Sequence, residues 1–410
     1  MTRDRNSGAS ALGTVGPDRT HELAQALDAA IREHRAGHIA KAKALYGDIR
    51  GQDPDNAAAL HFLGLIAFDE RRHDEAIGLM TRAVEKNPTV PEFHGNLGEI
   101  YRKLGRLDEA VAACKRALAI HAVYPEALNT LGTAHMARGA FDEAEAALRK
   151  AIEYKPDFAP AHAALAGVLR ARGDAEKAVR AYRRALRKDP RLLGAYLALG
   201  SMLDAAGRSD EAVETYDKAL EFAPRDPRLW SNRGVSLGRL GRHAESLDCF
   251  RKAVELRPDL AETQVNLGNA LLDHTADVAA AGACFARAAE IKPAFAEAHF
   301  GLGRCALARA DWDAAVAAYR KALELQPRFL RARSNLGTAL LGMGDYAGAE
   351  AAFAELLAVR RGPVAASVED LLAARPGRTL RTTRFALLDR AEQIEHLVAA
   401  GLLNDGYRAL

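Results

Sequence analysis

Cysteine is scarce in this chain: Cys114, Cys249, Cys284 and Cys305 stand far apart among 410 residues, with no CxxC pair and no spacing suited to a zinc site. Aromatic residues are also few, at 6%, while alanine swells a hydrophobic share of 49%, which suits closely packed helices better than a bulky mixed core. No window approaches the roughly 18 consecutive apolar residues of a membrane span, so membrane insertion is not expected. Charge of one sign is lacking too. Lys plus Arg number 57 against 54 Asp plus Glu, and the balance of +3 gives no global reason to expect nucleic acid or an anionic membrane as partner.

Catalytic signatures are missing as well. The chain contains no HExxH, GxSxG or GxxxxGK[ST], no GxGxxG after a strand, and no His and carboxylate cluster with metal-ligand spacing. Its thirteen histidines are dispersed. The reading is therefore of a protein that is not an enzyme and needs no cofactor. Residues 1–20 carry charge, Gly and Ser without an apolar core and read as a flexible leader rather than a signal peptide. Unpaired cysteines fit a cytoplasmic location, and the Ala- and Arg-rich composition has a bacterial look.

What is present is a repeat of 34 residues, with ten copies between about Leu23 and Pro363. Position 8 of each copy is small: Ala30, Gly64, Gly98, Gly132, Ala166, Gly200, Gly234, Gly268, Gly303 and Gly337. So is position 20, which is Ala in nine copies and Ser246 in the other. Position 24 is large and mostly aromatic, as in Tyr46, Tyr182, Tyr216, Phe250, Phe285, Tyr319 and Phe353. Small residues let two helices approach along their axes, and the large residue fills the space that they leave. Position 27 is Ala from Ala83 to Ala322, and Pro at position 32 ends most second helices. A Gly at position 15, followed by acidic residues, reads as the end of one helix and the start of the next.

Small residues at positions 8, 20 and 27, a large apolar one at 24 and Pro at 32 resemble the tetratricopeptide repeat (TPR) family, across about 340 of the 410 residues. The resemblance implies an all-α, right-handed superhelical solenoid of about ten helix-turn-helix repeats. Residues 21–363 form the repeats, and 364–410 a C-terminal helical cap or connector. The copy from Ala261 to Phe295 has one extra residue and lacks the turn glycine, so an irregular turn is expected there. Three of the cysteines fall on or beside position 24 and are expected as buried thiols. His94, His162 and His299 share position 4 with Trp230 and Tyr196, a spacing that belongs to the fold.

In this family the first helix of each unit lines the inner face, which points positions 2, 5, 6, 9, 12 and 13 inward. Asn96, Asn232, Asn266 and Asn335 occupy position 6, and Asn129 lies one residue earlier in its own copy. An amide supplies a donor and an acceptor, so a row of them suits an extended peptide backbone. The row resembles, in part, the inner ladder of the repeat array in O-linked N-acetylglucosamine transferases. The Lys, Asn and Arg set of a chaperone-binding carboxylate clamp is missing, and the inward residues of the third to fifth copies are acidic to neutral. Two basic runs, Arg170 to Arg191 and Arg360 to Arg384, read as solvated faces, and no nucleic-acid partner is expected. The functional expectation is a scaffold that binds a protein or peptide partner of unknown identity in its groove. Two alternatives are the recognition half of a larger bacterial enzyme with a glycosyltransferase or oxygenase module, and a self-assembling scaffold in which a homo-oligomer forms.

Overall fold

In the computed structural model, which describes residues 17–360, the helix–turn–helix period of the sequence becomes ten successive helix pairs. Contacts divide the chain into two units, one ending at Ala195 and the other starting at Tyr196. The first contains α1 (Pro17–Arg35) and α2 (Ile39–Gln52), α3 (Ala57–Asp69) and α4 (His73–Lys86), α5 (Pro91–Lys103) and α6 (Leu107–Ile120), α7 (Pro125–Ala137) and α8 (Phe141–Tyr154), and α9 (Ala159–Ala171) and α10 (Ala175–Lys188). The second begins within α11 (Leu193–Ala205), which pairs with α12 (Ser209–Leu220). It continues with α13 (Pro227–Arg239) and α14 (His243–Leu256), α15 (Ala261–His274) and α16 (Val278–Ile291), α17 (Ala296–Ala308) and α18 (Trp312–Leu325), and α19 (Leu330–Met343) and α20 (Tyr346–Arg360). The chain is thus an all-α repeat solenoid. Of the expected leader, 17–20 lie in α1 and the rest lies outside the described residues, as does the whole of 364–410.

The packing rule anticipated from small and large positions is met atom by atom. A methyl carbon added at Gly132 would sit 2.5 Å from Leu148 Cγ, at Gly64 2.7 Å from Met80 Cγ, at Gly98 2.8 Å from Cys114 Sγ, and at Gly234 and Gly268 2.9 Å from the rings of Phe250 and Phe285. At Gly200, Gly303 and Gly337 it would run into the rings of Tyr216, Tyr319 and Phe353. Position 24 of these eight pairs therefore lies directly on position 8. Ala42, Ala76, Ala110, Ala144, Ala178 and Ala212 at position 20 are fully buried, and Ser246, the exception, donates its hydroxyl to Gly234 O at 2.7 Å. Cys114, Cys249 and Cys305 are buried and Cys284 half-buried, all as free thiols. Burial pushes the Cys114 thiol up to about 12.

Turns within pairs use the left-handed conformation at position 15, with φ between +75° and +84° at Gly37, Gly105, Gly139, Gly173, Gly207, Gly241 and Gly344. Where the glycine is missing, Arg71, Ala276 and Ala310 still adopt it, at φ of 62°, 54° and 56°. The extra residue of the eighth copy lengthens the turn itself: Asp277 N reaches back to Leu271 O at 3.3 Å, and the Asp277 side chain then caps α16 through Ala280 N at 3.0 Å. Turns between pairs are held differently. The side chain at position 4 donates to the carbonyl of the preceding position-32 proline: His94 to Pro88 at 3.0 Å, His162 to Pro156 at 2.9 Å, Trp230 to Pro224 at 2.8 Å, Gln264 to Pro258 at 3.2 Å, His299 to Pro293 at 2.9 Å and Arg333 to Pro327 at 2.9 Å. A proline carbonyl in a helix-ending turn has no intrahelical donor, and this latch supplies one.

Within each unit the first helices touch one another as well as their partners: α5 with α7 and α7 with α9 in one, α13 with α15, α15 with α17 and α17 with α19 in the other. Neighbouring second helices make no comparable approach, so the first helices form the inner layer of each unit. Between α3 and α5 a buried polar contact bridges that layer. His61 is 4% exposed, stacks on Phe93 with ring centroids 4.5 Å apart, and accepts from Asn96 Nδ2 at 3.2 Å through Nε2. The proton then sits on Nδ1, which is buried and meets no acceptor among the described residues. Burial lowers the imidazole to about 4.

Gly200→Ala should lose roughly 1–3 kcal/mol through overpacking on Tyr216, whereas Gly194→Ala, where an added methyl meets nothing within 4 Å, should gain up to about 1 kcal/mol of helix propensity. Chemical denaturation of the two variants checks the register, and equal effects would refute it. Ala310→Gly relieves a left-handed alanine and should raise stability by about 1 kcal/mol in the same measurement. For His61 the sign follows from exclusion of the proton. Below about 6.5 the unfolded chain protonates this residue while the folded chain refuses the proton until about pH 4, so stability is lost as pH falls through that window, by roughly 3 kcal/mol in total. His61→Gln should remove that part of the pH dependence, and a gap between wild type and variant that stays constant from pH 6.5 to 4 would show that the ring is protonated in the fold.

Candidate peptide-binding site

The inner layer puts the predicted amides where a ligand could reach them, and each turns out to be half-buried. Asn96, on α5, has its Nδ2 engaged by His61, as described. On α15, Asn266 Nδ2 donates to Ser231 Oγ of α13 at 2.9 Å. Asn335, on α19, donates to Tyr319 Oη at 3.3 Å. Asn232 lies against the Tyr216 hydroxyl, near enough to oppose the upward push that burial and Asp204 give that phenol, but outside hydrogen-bond geometry. Asn129 differs from all four: its Oδ1 is buried and accepts from no described residue.

The structure brings two of the five together. Asn96 and Asn129 line one cavity of about 300 Å³ in the first unit, where α5, α7 and α9 meet. Asn232 and Asn266 sit on touching helices of the second unit, and Asn335 stands apart, with Gly301 at the equivalent place on α17 between them. Gly301 is there for space, because the Phe285 ring occupies what a side chain would need.

The cavity is lined by the inward positions expected from the repeat, among them Gly95, Glu99, Glu126, Thr130, Thr133 and Pro160. Its electrostatics centre on Glu99. Burial favours protonation of that carboxyl, but hydrogen bonds from Arg102 Nε at 2.8 Å and a second guanidinium nitrogen at 2.6 Å, with Thr130 Oγ1 at 3.2 Å, hold it below the usual carboxylate range. Glu126 receives Lys155 Nζ at 2.8 Å from the rim.

Three lining residues had not been singled out from the sequence: Ala127 of α7, and the aromatic pair Tyr124 and Phe158, which precede α7 and α9. Both occupy the last position of a copy, where Phe295 and Phe329 recur later, so a signal existed. It reads as a turn residue until the turn is seen to face the cavity. The Tyr124 ring lies over Gly95, where an added methyl would be 3.0 Å from it. Burial, then Glu92 and Glu126, push the Tyr124 hydroxyl up to about 12.

Elsewhere the basic run on α10 exposes Arg180, Arg184 and Arg187, while Lys188 is paired with Asp157. The second basic run lies almost wholly outside the described residues. Among the described residues no group of three or more His, Cys, Asp or Glu is placed to hold a metal ion, and no helix is long and apolar enough to cross a membrane.

Comparison with known proteins agrees with this architecture. The solved APC/C hetero-tetramer Cut9–Hcn1 contains a chain 19% identical to this one, with a TM-score of 0.51, over 74% of this chain and 59% of that one, a likeness of fold alone. Pseudomonas aeruginosa pilF is 25% identical over 51% of this chain and 95% of its own, with a TM-score of 0.45. YrrB, described as a TPR protein with an unusual peptide-binding site, is 25% identical over 45% of this chain and 95% of its own, with a TM-score of 0.37. Models of the tetratricopeptide repeat match residues 27–91, 67–122, 101–168, 168–227, 227–260, 265–329 and 306–374. With repeat matches from one end of the described helices to the other and ten helix pairs built on a single spacing, the chain belongs to the tetratricopeptide repeat family.

Proposed function

We propose that this TPR protein holds an extended peptide segment of a partner protein along the inner, first-helix face of its units. Its family makes it a protein–protein interaction scaffold. The observation that supports the finer reading is the cavity where α5, α7 and α9 meet, because every helix contributes residues from the inward positions and the amides of Asn96 and Asn129 both reach it.

The amides suit a peptide main chain for a specific reason. In Asn96, Asn266 and Asn335 the Nδ2 group is fixed by a neighbouring side chain, which orients the amide and leaves its carbonyl oxygen without a donor among the described residues. Oriented acceptors cost less entropy to use than freely rotating ones. A backbone N–H can pair with such an oxygen whatever side chain it carries, so the row tolerates many sequences.

A labelled peptide selected from a decapeptide pool on the full chain provides the test. Asn232→Ala with Asn266→Ala should weaken it about thirtyfold, from two hydrogen bonds of about 1 kcal/mol each, with unchanged helical circular dichroism. Asn96→Ala with Asn129→Ala should do the same for a peptide seated on the first unit. Affinity untouched by both pairs would refute the reading.

A further inference from the structure

The second helices of the first unit carry a face that peptide binding on the inner layer does not use. At position 26 of the repeat, Lys252, Arg287 and Lys321 of the second unit each pair with an acid three residues on, Glu255, Glu290 and Glu324, at 2.9 Å. The same position on α6, α8 and α10 holds Arg116, Lys150 and Arg184, where the residue three places on is Ala119, Glu153 and Arg187, and none of these three cations makes an ion pair or a hydrogen bond with a described residue. Lys115, Arg180 and Arg187 beside them are equally unpaired, and all six are exposed. Of the acids nearby, Asp157 is engaged by Lys188 and Asp189 by the Arg191 backbone N–H, which leaves Glu153, with Glu143 at the far end of α8. Six unpaired cations on three successive second helices make a local positive field, although the whole chain carries only +3.

One turn further along these helices the surface becomes apolar. Position 30 is lysine in the flanking second and fifth copies, where Lys86 reaches Asp55 at 2.7 Å and Lys188 reaches Asp157, both aspartates at position 33 of the preceding copy. In the third and fourth copies it is Ile120 and Tyr154, 42% and 41% exposed, and position 33 of the third copy is Val123, 50% exposed. The apolar residues at position 30 of the second unit, Phe222, Leu256, Ile291 and Leu325, are by contrast half-buried. Ile120 and Tyr154 follow Arg116 and Lys150 by four residues, which puts cation and apolar group on one helix face. A single exposed apolar side chain is ordinary. Here three of the six large ones exposed among the described residues stand beside the unpaired cations.

Charge and apolar side chains together select the occupant. Nucleic acid would set Ile120 and Val123 against phosphate, with Tyr154 the one ring of this set on which a base could stack. An acidic protein segment would have to bring sockets for three side chains. A lipid leaflet meets both kinds of group at once and needs no preformed shape, because its anionic headgroups attract Lys and Arg while short apolar side chains and a tyrosine ring sink among them. We propose that the outer face of α6, α8 and α10 seats the first unit on an anionic lipid surface, with the six cations at the headgroups and Ile120, Val123 and Tyr154 entering the headgroup layer. The contact is peripheral, and it leaves the inner face open, so it does not depend on the peptide reading.

Co-sedimentation of the full chain with vesicles tests the proposal, using phosphatidylcholine alone and phosphatidylcholine with about one-third phosphatidylglycerol. The anionic vesicles should bind more than about a hundredfold better, and about 0.5 M salt should remove most of that preference. Lys150→Gln with Arg184→Gln should weaken the partition about thirtyfold, and Ile120→Ser with Val123→Ser about fivefold. Arg287→Gln with Lys321→Gln, an equal change of charge where the cations are paired, should leave it within about twofold. Equal binding to both kinds of vesicle, or an equal loss from the two charge pairs, overturns the proposal. Full affinity in the Ile120→Ser, Val123→Ser variant overturns it too, because a face that reads charge alone suits an acidic protein or nucleic acid instead.

Discussion

One contact governs this architecture: the absence of a side chain at position 8 against the ring or thioether at position 24. At Gly200, Gly303 and Gly337 even a methyl would intrude on Tyr216, Tyr319 or Phe353, so the distance between the two helices of a pair is set by contact between a ring and bare backbone. Interiors at that density do not yield by small increments, because displacing a ring displaces the next helix as well. The buried alanines at positions 20 and 27 extend the same close approach along the pair. Everything on the inner face depends on it, since the helices that carry the amides are held at this spacing by their own partners.

The position-8 contact was legible in the sequence because it is local and repeated. Ten copies in register expose a rule that one copy would hide, and the two partners lie within one unit of 34 residues. The amides were legible only by place. That Asn266 would donate to Ser231, or Asn96 to His61, depends on position 5 of the preceding copy, which varies from His61 to Asn129, Ser231, Val265 and Phe300. A periodic reading averages over that variation. The position-4 latch shows the same limit from the other side: histidine, tryptophan, glutamine and arginine have no common label, but each offers an N–H at the reach of a proline carbonyl.

Polar groups on the first helices fall into two sets, and the division would let the proposed binding face also be a structural layer. Donors are largely turned inward, to His61, to Ser231, to Glu99 and to the proline carbonyls. Those bonds tie one helix pair to the next and order the side chains. The amide oxygens of Asn96, Asn266 and Asn335 accept from none of the described residues. A face arranged in this way keeps its geometry when empty, so association does not have to order it.

The cavity at α5, α7 and α9 arises where the repeat departs from its own rule. The third copy has Ala122 in place of the position-32 proline, and the fourth has Leu128 at position 4, which has no N–H to offer the turn. With proline and latch both missing, the α6–α7 turn lacks the restraint that holds six of the other turns between pairs. Tyr124 lies over Gly95, and this is possible because position 5 of that copy is glycine, where others carry His61, Asn129 or Phe300. The ring walls off one side of the cavity, and Asn129, placed at position 5 rather than 6, lines another. Four departures in two consecutive copies, each tolerable alone, thus converge on one cavity, which owes its shape to the copies that break the pattern rather than to the shared residues that build the fold.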